Sequence, residues 1–560
     1  MRLIQKTDNC YMISLLFAVL YIIGSSYKPY VSGDEVEYVS IAKSISRGEG
    51  IQLFGIPTTI ASTWSIFISP LFNNFINLHT SIIICRIISL VFIIISLFQF
   101  TFILKNIRIN NKFLSDDKIF IVQLLTFGNF YYWLQTGSMF LEPFSIVIFL
   151  FACVIIVKDN FNLPNLILLG ILSGALAATK YITIVIYPAL IIHFINKYGF
   201  NKKLFYTLSV VFLSSFVLLI PILARFINLE YLNNVGNDFS YLESYNSEAN
   251  QSSPIIALLK FMISGFLIFI NKFHEFFTTI PKLNGFYISI FFIIPIAFFF
   301  YVNIKTKFTF SFFSAFTILY VLALMFSGHG GNTRYWILVF PFFVLFFVEG
   351  ISNIKIFKKN FYFNNKKLLK FSIIGFLLML LCFIIIAFYF RISGMDLLGY
   401  KTYTIILTFL ISFLIVLIFF LREKQIALWK FVSLLIFIIP FSRASNEFIL
   451  LGRPLPPASS EIVRDQISLG SFLDSKKWEY PVFQNTDALN AAWTTAYSNV
   501  PVLDYRINYG ENDYKKIFLI CKSGKNFNSL KVSDSEYEVD NSTIIYSNDH
   551  YSVKELLLSK

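Results

Sequence analysis

Charge is scarce in this sequence: Asp, Glu, Lys and Arg together make up 14% of the 560 residues, while 56% are hydrophobic. With a mean hydropathy of +0.68, that balance excludes a soluble globule and indicates a polytopic membrane protein. Cysteine is just as sparse. Cys10, Cys85, Cys153 and Cys382 fall in or beside apolar segments, which leaves Cys521 alone in the polar tail. No disulfide framework can staple that tail, and no Cys-x-x-Cys or zinc-type spacing exists. His79, His193, His274, His329 and His550 are dispersed, so no His/carboxylate set stands at metal-ligand spacing and a tight metal site is not expected. Walker-type loops, Gly-x-Gly-x-x-Gly and Gly-x-Ser-x-Gly are all missing, which removes the common nucleotide-binding and serine-hydrolase signatures. There is no internal repeat and no long low-complexity tract.

What is present is a succession of apolar windows, at 11–27, 81–104, 119–136, 139–157, 165–179, 181–196, 204–226, 286–304, 309–327, 335–350, 369–390, 403–421 and 427–442. They predict about thirteen membrane spans, several shorter than the usual twenty residues and so tilted or shielded by neighbours. The first window follows Arg2 and Lys6 and has two readings, a signal peptide cut near Gly24-Ser25-Ser26 or a retained anchor; the anchor is preferred because an acidic patch follows at once.

The net charge of +14 suggests nucleic acid only until its distribution is seen. Lys and Arg lie in short clusters between apolar windows (Lys105/Arg108/Lys112, Lys197/Lys202/Lys203, Lys305/Lys307, Lys355 to Lys370, Arg422/Lys424/Lys430), as the positive-inside rule requires. No nucleic-acid partner is expected. With the amino terminus cytoplasmic, these clusters share one side, and the loops 28–80, 227–285, 328–334 and 391–402 share the other. Segment 255–271 is apolar enough for another span, but counting it would move the Lys355 to Lys370 cluster outside, so it is assigned to an external interfacial helix. The chain changes character near Ser442: residues 1–445 form the membrane domain. Residues 446–560, with short strand-like runs and helical stretches at 459–474 and 487–497, form a small external α/β domain.

Carboxylates beside a bilayer are costly unless they face water, a partner or a substrate. Gly33-Asp34-Glu35-Val36-Glu37 lies just past the first window. Asp34 is either the N-cap of a helix over 35–47 or a general base at the membrane surface. Glu142, in Leu141-Glu142-Pro143, is either a favourable charge on a helix N-terminus or part of a site. Lys180, between two short windows, either snorkels to the surface or binds an anion. The run from Gly328 to Tyr335, containing His329 and Arg334, forms an external hairpin, and Arg86 sits at an external span end. Carboxylates and cations thus share one external level.

The order of these features resembles the GT-C superfamily of polyprenyl-phosphate-sugar-dependent glycosyltransferases, nearest the protein O-mannosyltransferase and aminoarabinose lipid A transferase group. The matching residues, over roughly 20–350, are Gly33-Asp34-Glu35 with Tyr38 and Ala42, Ser69-Pro70-Leu71, Arg86, Glu142-Pro143, Gly170-x3-Gly174-x4-Thr179-Lys180, and Arg334-Tyr335 with Pro341. The resemblance implies an all-α GT-C-like membrane domain with the small external α/β domain at its carboxyl end, in the plasma or inner membrane. It implies an inverting transfer of a sugar from a polyprenyl-phosphate donor to a lipid, glycan or protein acceptor on the external face. Asp34 is then the base, with Glu35 and Glu142 beside it. Lys180, Arg334 and Arg86 hold the phosphate, and Tyr38, Tyr335 and His329 line the substrate. No cofactor is implied beyond a weakly bound divalent cation that Glu142 could hold. The rival expectation is a secondary transporter or lipid flippase, which the missing repeat and the few deep charges disfavour.

Overall fold

The computed structural model describes residues 9–25, 35–53, 56–57, 63–73, 76–136, 138, 141–227, 254–278, 285–303, 311–326, 333–362, 425–444, 460–484, 498, 500, 502–504, 515–524, 529–532 and 535–559. Among them, Leu78–Asn106, Leu141–Lys158, Tyr181–Tyr198 and Lys202–Leu219 are long and apolar enough to cross a membrane, and shorter apolar helices accompany them. The molecule is a membrane protein. The windows at 369–390 and 403–421, and the helical stretch at 487–497, lie outside the described residues.

The bundle is built on three helices: α1 (Asn9–Gly24), α4 (Leu78–Asn106) and α5 (Asp116–Phe127). At 29 residues, α4 is about 43 Å long, enough to span the hydrocarbon core and both interfaces. A hydrocarbon interior leaves polar side chains only one another to bond, and here they tie helices together. Ser14 meets Thr101 hydroxyl to hydroxyl at 2.6 Å, and the Gln123 amide donates to Thr101 at 2.6 Å and to the Cys10 carbonyl at 2.9 Å. Tyr21 donates to the Phe127 carbonyl at 2.6 Å. The window at 119–136 is not one helix: α5 ends at Phe127, and after Gly128-Asn129 a short α6 (Phe130–Thr136) begins. Asn129 starts it by accepting from the Tyr131 amide at 2.9 Å.

Beyond α7 (Leu141–Lys158), α8 (Leu163–Thr179) packs on α10 (Lys202–Ile227), with α9 (Ile186–Tyr198) between them in sequence. Gly170 and Gly174 explain the closeness: a Cβ on Gly174 would stand 2.5 Å from the Ser215 carbonyl oxygen. The Gly-x3-Gly spacing seen in the sequence is therefore a packing motif, small residues letting two backbones approach.

The segment assigned above to an interfacial helix is α11 (Pro254–Thr278), and it lies against the bundle. Phe269 stacks on Trp336, Phe273 meets Phe343, and Phe277 meets Phe292, Phe340 and Phe347. These contacts bury an aromatic stripe on one face of the helix, while Ile263, Phe266, Leu267 and Ile268 stay exposed on another. Of the partners, Phe292 belongs to α12 (Gly285–Asn303), Phe340, Phe343 and Phe347 to α14 (Phe340–Asn353) and Trp336 to the 3-10 turn Thr333–Leu338, and α13 (Phe312–Phe326) completes this side.

One end of the bundle collects the basic turns. Asn110 bonds Asn303 at 2.7 Å, Lys118 pairs with Glu349 at 2.8 Å, and Lys430, at the start of α15 (Leu428–Ala444), pairs with Asp117 at 2.8 Å. At the opposite end α4, α7 and α14 begin and α8 finishes.

Three short antiparallel pairs belong to the membrane domain: β1 (Gln52–Leu53) with β2 (Ile56–Pro57), β3 (Arg108–Ile109) with β4 (Lys112–Phe113) and β5 (Asn360–Tyr362) with β6 (Gln425–Ala427). In the tail, α16 (Ser460–Asp474) covers a six-stranded sheet made of β7 (Val482–Gln484), β8 (Val502–Asp504), β9 (Lys516–Lys522), β10 (Ser529–Val532), β11 (Ser535–Ser547) and β12 (Tyr551–Ser559), in the order β10-β11-β12-β9-β7-β8. β7 runs parallel to β8 and β9, and the other pairs are antiparallel. Alternation along β9 serves two cores: Phe518 and Ile520 join Leu469 and Leu473 of α16, while Ile517 and Leu519 join Phe483, Tyr537 and Leu556.

Candidate active site

The end of the bundle opposite the basic turns is where the candidate residues gather, and α2 (Glu35–Ser46) is its first element. Glu35 and Glu37 in its first turn and Lys43 in its last suit the helix dipole. The helix is unusual in being buried nearly all round: Val36, Tyr38, Val39, Ile41 and Ala42 form one cluster with Trp64, Ile68, Phe72, Ile82, Cys85 and Leu141. Glu35, with no exposed surface, is therefore a carboxylate in an apolar setting, and it needs a partner. Arg86, one turn into the buried part of α4 and 4% exposed, provides it. The guanidinium grips the carboxylate at both oxygens, at 3.1 and 3.4 Å, the fork geometry that Lys cannot reproduce.

A second pair lies on the neighbouring helices. Glu142 is in the first turn of α7, 1% exposed. Lys180 ends α8: its backbone leaves the helical region (φ −150°, ψ 104°), and a 3-10 turn over Tyr181–Val185 follows, pinned by Thr183, whose hydroxyl donates to the Lys180 carbonyl at 2.6 Å. This break aims the Lys180 ammonium at Glu142, 3.3 Å away, while placing it 4.0 Å over the ring of Tyr335. Tyr335 is held in turn by Tyr320 of α13, whose hydroxyl donates to its carbonyl at 2.8 Å. Leu141, next to Glu142, packs in the cluster around α2, so the two ion pairs stand on adjoining helices at one end of the bundle.

Of the residues singled out from sequence, the structure brings together Glu35 with Arg86, and Glu142 with Lys180 and Tyr335. Tyr38 is buried within the α2 cluster. Asp34, His329 and the side chain of Arg334 lie outside the described residues. Among the described residues no group of three or more His, Cys, Asp or Glu side chains is gathered as a metal would need.

Two further contributors enter with the fold, Tyr320 and, from the first external loop, Lys43. Tyr320 sits inside an apolar window and carries no signal of its own. Lys43 did: it follows Ile41-Ala42 and precedes Ser44-Ile45, a charge on no polar face. It is 2% exposed, and its ammonium donates to the Ser498 carbonyl of the tail, whose own hydroxyl donates to Asp474 at 2.8 Å. Burial pulls the Lys43 ammonium down to about 7, with Asp474 opposing and Arg47 assisting. Ile467 of α16 packs on the same cluster, so α2 carries the first ion pair at one end and the tail domain at the other.

No protein-family description and no curated sequence matches the chain. Solved structures do. ArnT from Cupriavidus metallidurans, bound to undecaprenyl phosphate, aligns over 98% of both chains with a TM-score of 0.53 at 10% identity. The oligosaccharyltransferase of Archaeoglobus fulgidus, solved with a tethered acceptor peptide, aligns over 89% of this chain and 64% of its own with a TM-score of 0.47 at 10% identity. Both are GT-C glycosyltransferases. At such identities the likeness, carried by the first, is one of fold: the chain has the GT-C membrane fold.

Proposed function

We propose that the protein is a membrane glycosyltransferase that moves a sugar from a polyprenyl-phosphate donor to a nucleophile, a hydroxyl in the simplest case, on the external face of the membrane. The observation that carries this reading is the pair of buried carboxylate–cation contacts, Glu35 with Arg86 and Glu142 with Lys180, at one end of a GT-C bundle. Such groups are expensive at a bilayer and mark function by default. The likeness in fold to ArnT bound to undecaprenyl phosphate supports the same substrate class.

In the proposed reaction Asp34, the residue before α2, takes the proton of the acceptor hydroxyl. The oxygen attacks the anomeric carbon, the bond from that carbon to the phosphate oxygen breaks, and the polyprenyl phosphate leaves with the electron pair, inverting the centre. Positive charge develops on the sugar ring as in glycoside hydrolysis, which a nearby carboxylate favours. Glu35 does no proton transfer: clamped by Arg86, it fixes the start of α2, the helix that Asp34 precedes in the chain. Lys180 and Arg334 neutralise the departing phosphate. Lys180 is held ready by Glu142 and by the face of Tyr335. Arg86, committed to Glu35, is assigned the positioning role rather than a phosphate contact. The tail domain, residues 446–560, is proposed to lie on the same external side, bound to α2 through Lys43.

The test is discharge of a radiolabelled polyprenyl-phosphate sugar by the purified chain in the presence of extracted cell-envelope acceptors. Asp34→Asn is expected to lower kcat about 10²–10⁴-fold with normal insertion and unchanged lipid-phosphate binding. An Asp34→Asn protein that transfers as well as the parent sinks the assignment of the base, and a parent that never discharges the donor sinks the reading as a whole.

A further inference from the structure

Eight residues after Glu35, about 12 Å along the helix axis, Lys43 reaches the wall of a cleft of about 530 Å³ that the transfer chemistry leaves unused. The cleft runs along the seam between the membrane domain and the tail. Lys43 enters from α2, Asn73, Asn77 and His79 from the turn that opens α4, and Ser471 and Asp474 from α16. Its size falls within the range of small-molecule sites.

The chemistry of the wall selects among ligands. Its two opposite charges are answered through Ser498, which accepts from Lys43 and donates to Asp474, so the net field that captures a phosphate is weak. A hydrocarbon ligand is excluded by the density of polar groups. What remains is a set of amide, imidazole and hydroxyl groups that both donate and accept, interrupted by the aliphatic side chains of Ile76, Leu78 and Ile467. That alternation suits a saccharide, whose hydroxyls both donate and accept and whose ring C–H faces are apolar.

We propose that this seam is a saccharide subsite on the acceptor side, holding neutral sugar residues of a glycan whose reactive end reaches the first turn of α2. The proposal rests on the glycosyl-transfer reading and supplies the acceptor class it lacks: a glycan or glycolipid headgroup rather than a bare peptide or a lipid tail. No bond is made or broken in the cleft. α2 links the two events, since one rigid helix carries both the clamp at Glu35 and the cleft wall at Lys43.

The test uses the full chain in lipid nanodiscs and saturation-transfer NMR with chitotriose, cellotriose and mannotriose, with inorganic phosphate as competitor. At least one trisaccharide is expected to receive saturation. Ser471→Trp, at an exposed position of α16 whose hydroxyl bonds only its own helix at the Ile467 carbonyl, fills the cleft and should abolish the signal. His79→Ala should weaken binding about fivefold, the loss of roughly one hydrogen bond. Absence of binding by every trisaccharide, indifference to Ser471→Trp, or displacement of the sugar by phosphate overturns the proposal. Undecaprenyl phosphate binding, measured in parallel, separates the two readings. Intact lipid-phosphate binding with no sugar binding sinks the subsite alone, and lost lipid-phosphate binding in the parent chain sinks the transfer reading.

Discussion

Removing Arg86 while keeping Glu35 should be among the most damaging single changes in the bundle. Glu35 has no exposed surface and Arg86 is 4% exposed, so Arg86→Met, close in volume, leaves a carboxylate sealed among Val36, Cys85 and Ile82 with its bidentate partner gone. Breaking a buried pair by deleting one member typically costs about 3–5 kcal/mol, most of it the desolvation of the charge left behind. Replacing both members removes that charge as well, so Glu35→Leu with Arg86→Met should recover most of the loss. Equilibrium unfolding of the four proteins of this double-mutant cycle in mixed micelles, followed by tryptophan fluorescence, reads the coupling directly. The reasoning is refuted if Arg86→Met costs under about 1 kcal/mol or if the double variant is no more stable than its worse parent. Activity should not follow stability back: the double variant regains the fold without the fork that fixes the entry to α2, so its kcat should stay depressed while its lipid-phosphate Kd is unchanged.

Lys180→Met should raise the Kd for undecaprenyl phosphate at least tenfold while Lys180→Arg retains most of the affinity, measured by nanodisc binding; equal affinity in the Met variant removes Lys180 from phosphate recognition. Gly350→Ala should destabilise by about 1–3 kcal/mol through overpacking, because its methyl group would fall on the Pro295 carbonyl; thermal melting in detergent checks it. The buried Lys43 should make the seam pH-dependent: its ammonium sits at about 7 folded against 10.5 unfolded, so between these values the unfolded chain binds more protons and stability rises with pH. The gain, at most a few kcal/mol, should appear as slower proteolytic release of the tail at pH 9.5 than at pH 7 and vanish in Lys43→Met.

Hydropathy makes the membrane bundle legible because spanning length and apolar content are demanded by the bilayer itself. It says less about which face of an apolar helix packs. In α11, which contains segment 255–271, Phe269, Phe273 and Phe277 recur every four residues and face the rings of the bundle. That spacing was visible, and its weight was not, since apolar residues surround it on every face. The break at Gly128-Asn129 was hidden in the same way. In the tail, β7, β8 and β9 were readable as short apolar runs, and β11 only in part, because its 13 residues mix charged and β-branched positions.

The site residues were legible as an inventory but not as pairs. Sequence placed Glu35, Arg86, Glu142 and Lys180 at one level, with the cations free for a phosphate and the carboxylates free for protons. The fold sets each cation against a carboxylate, because a bundle end with four unpaired charges would cost several kcal/mol per ion. Pairing changes what each can do. The Lys180 ammonium stands 3.3 Å from a single Glu142 oxygen and over a tyrosine face, a point charge on a flexible stem, whereas the Arg86 guanidinium engages Glu35 at two oxygens and commits its fork there. On the proposed reaction, Lys180 is therefore the cation that responds to the donor and Arg86 the one that does not. The difference follows from the geometry of each contact, a two-oxygen fork against a single-oxygen approach, which the spacing of the residues in the sequence does not disclose.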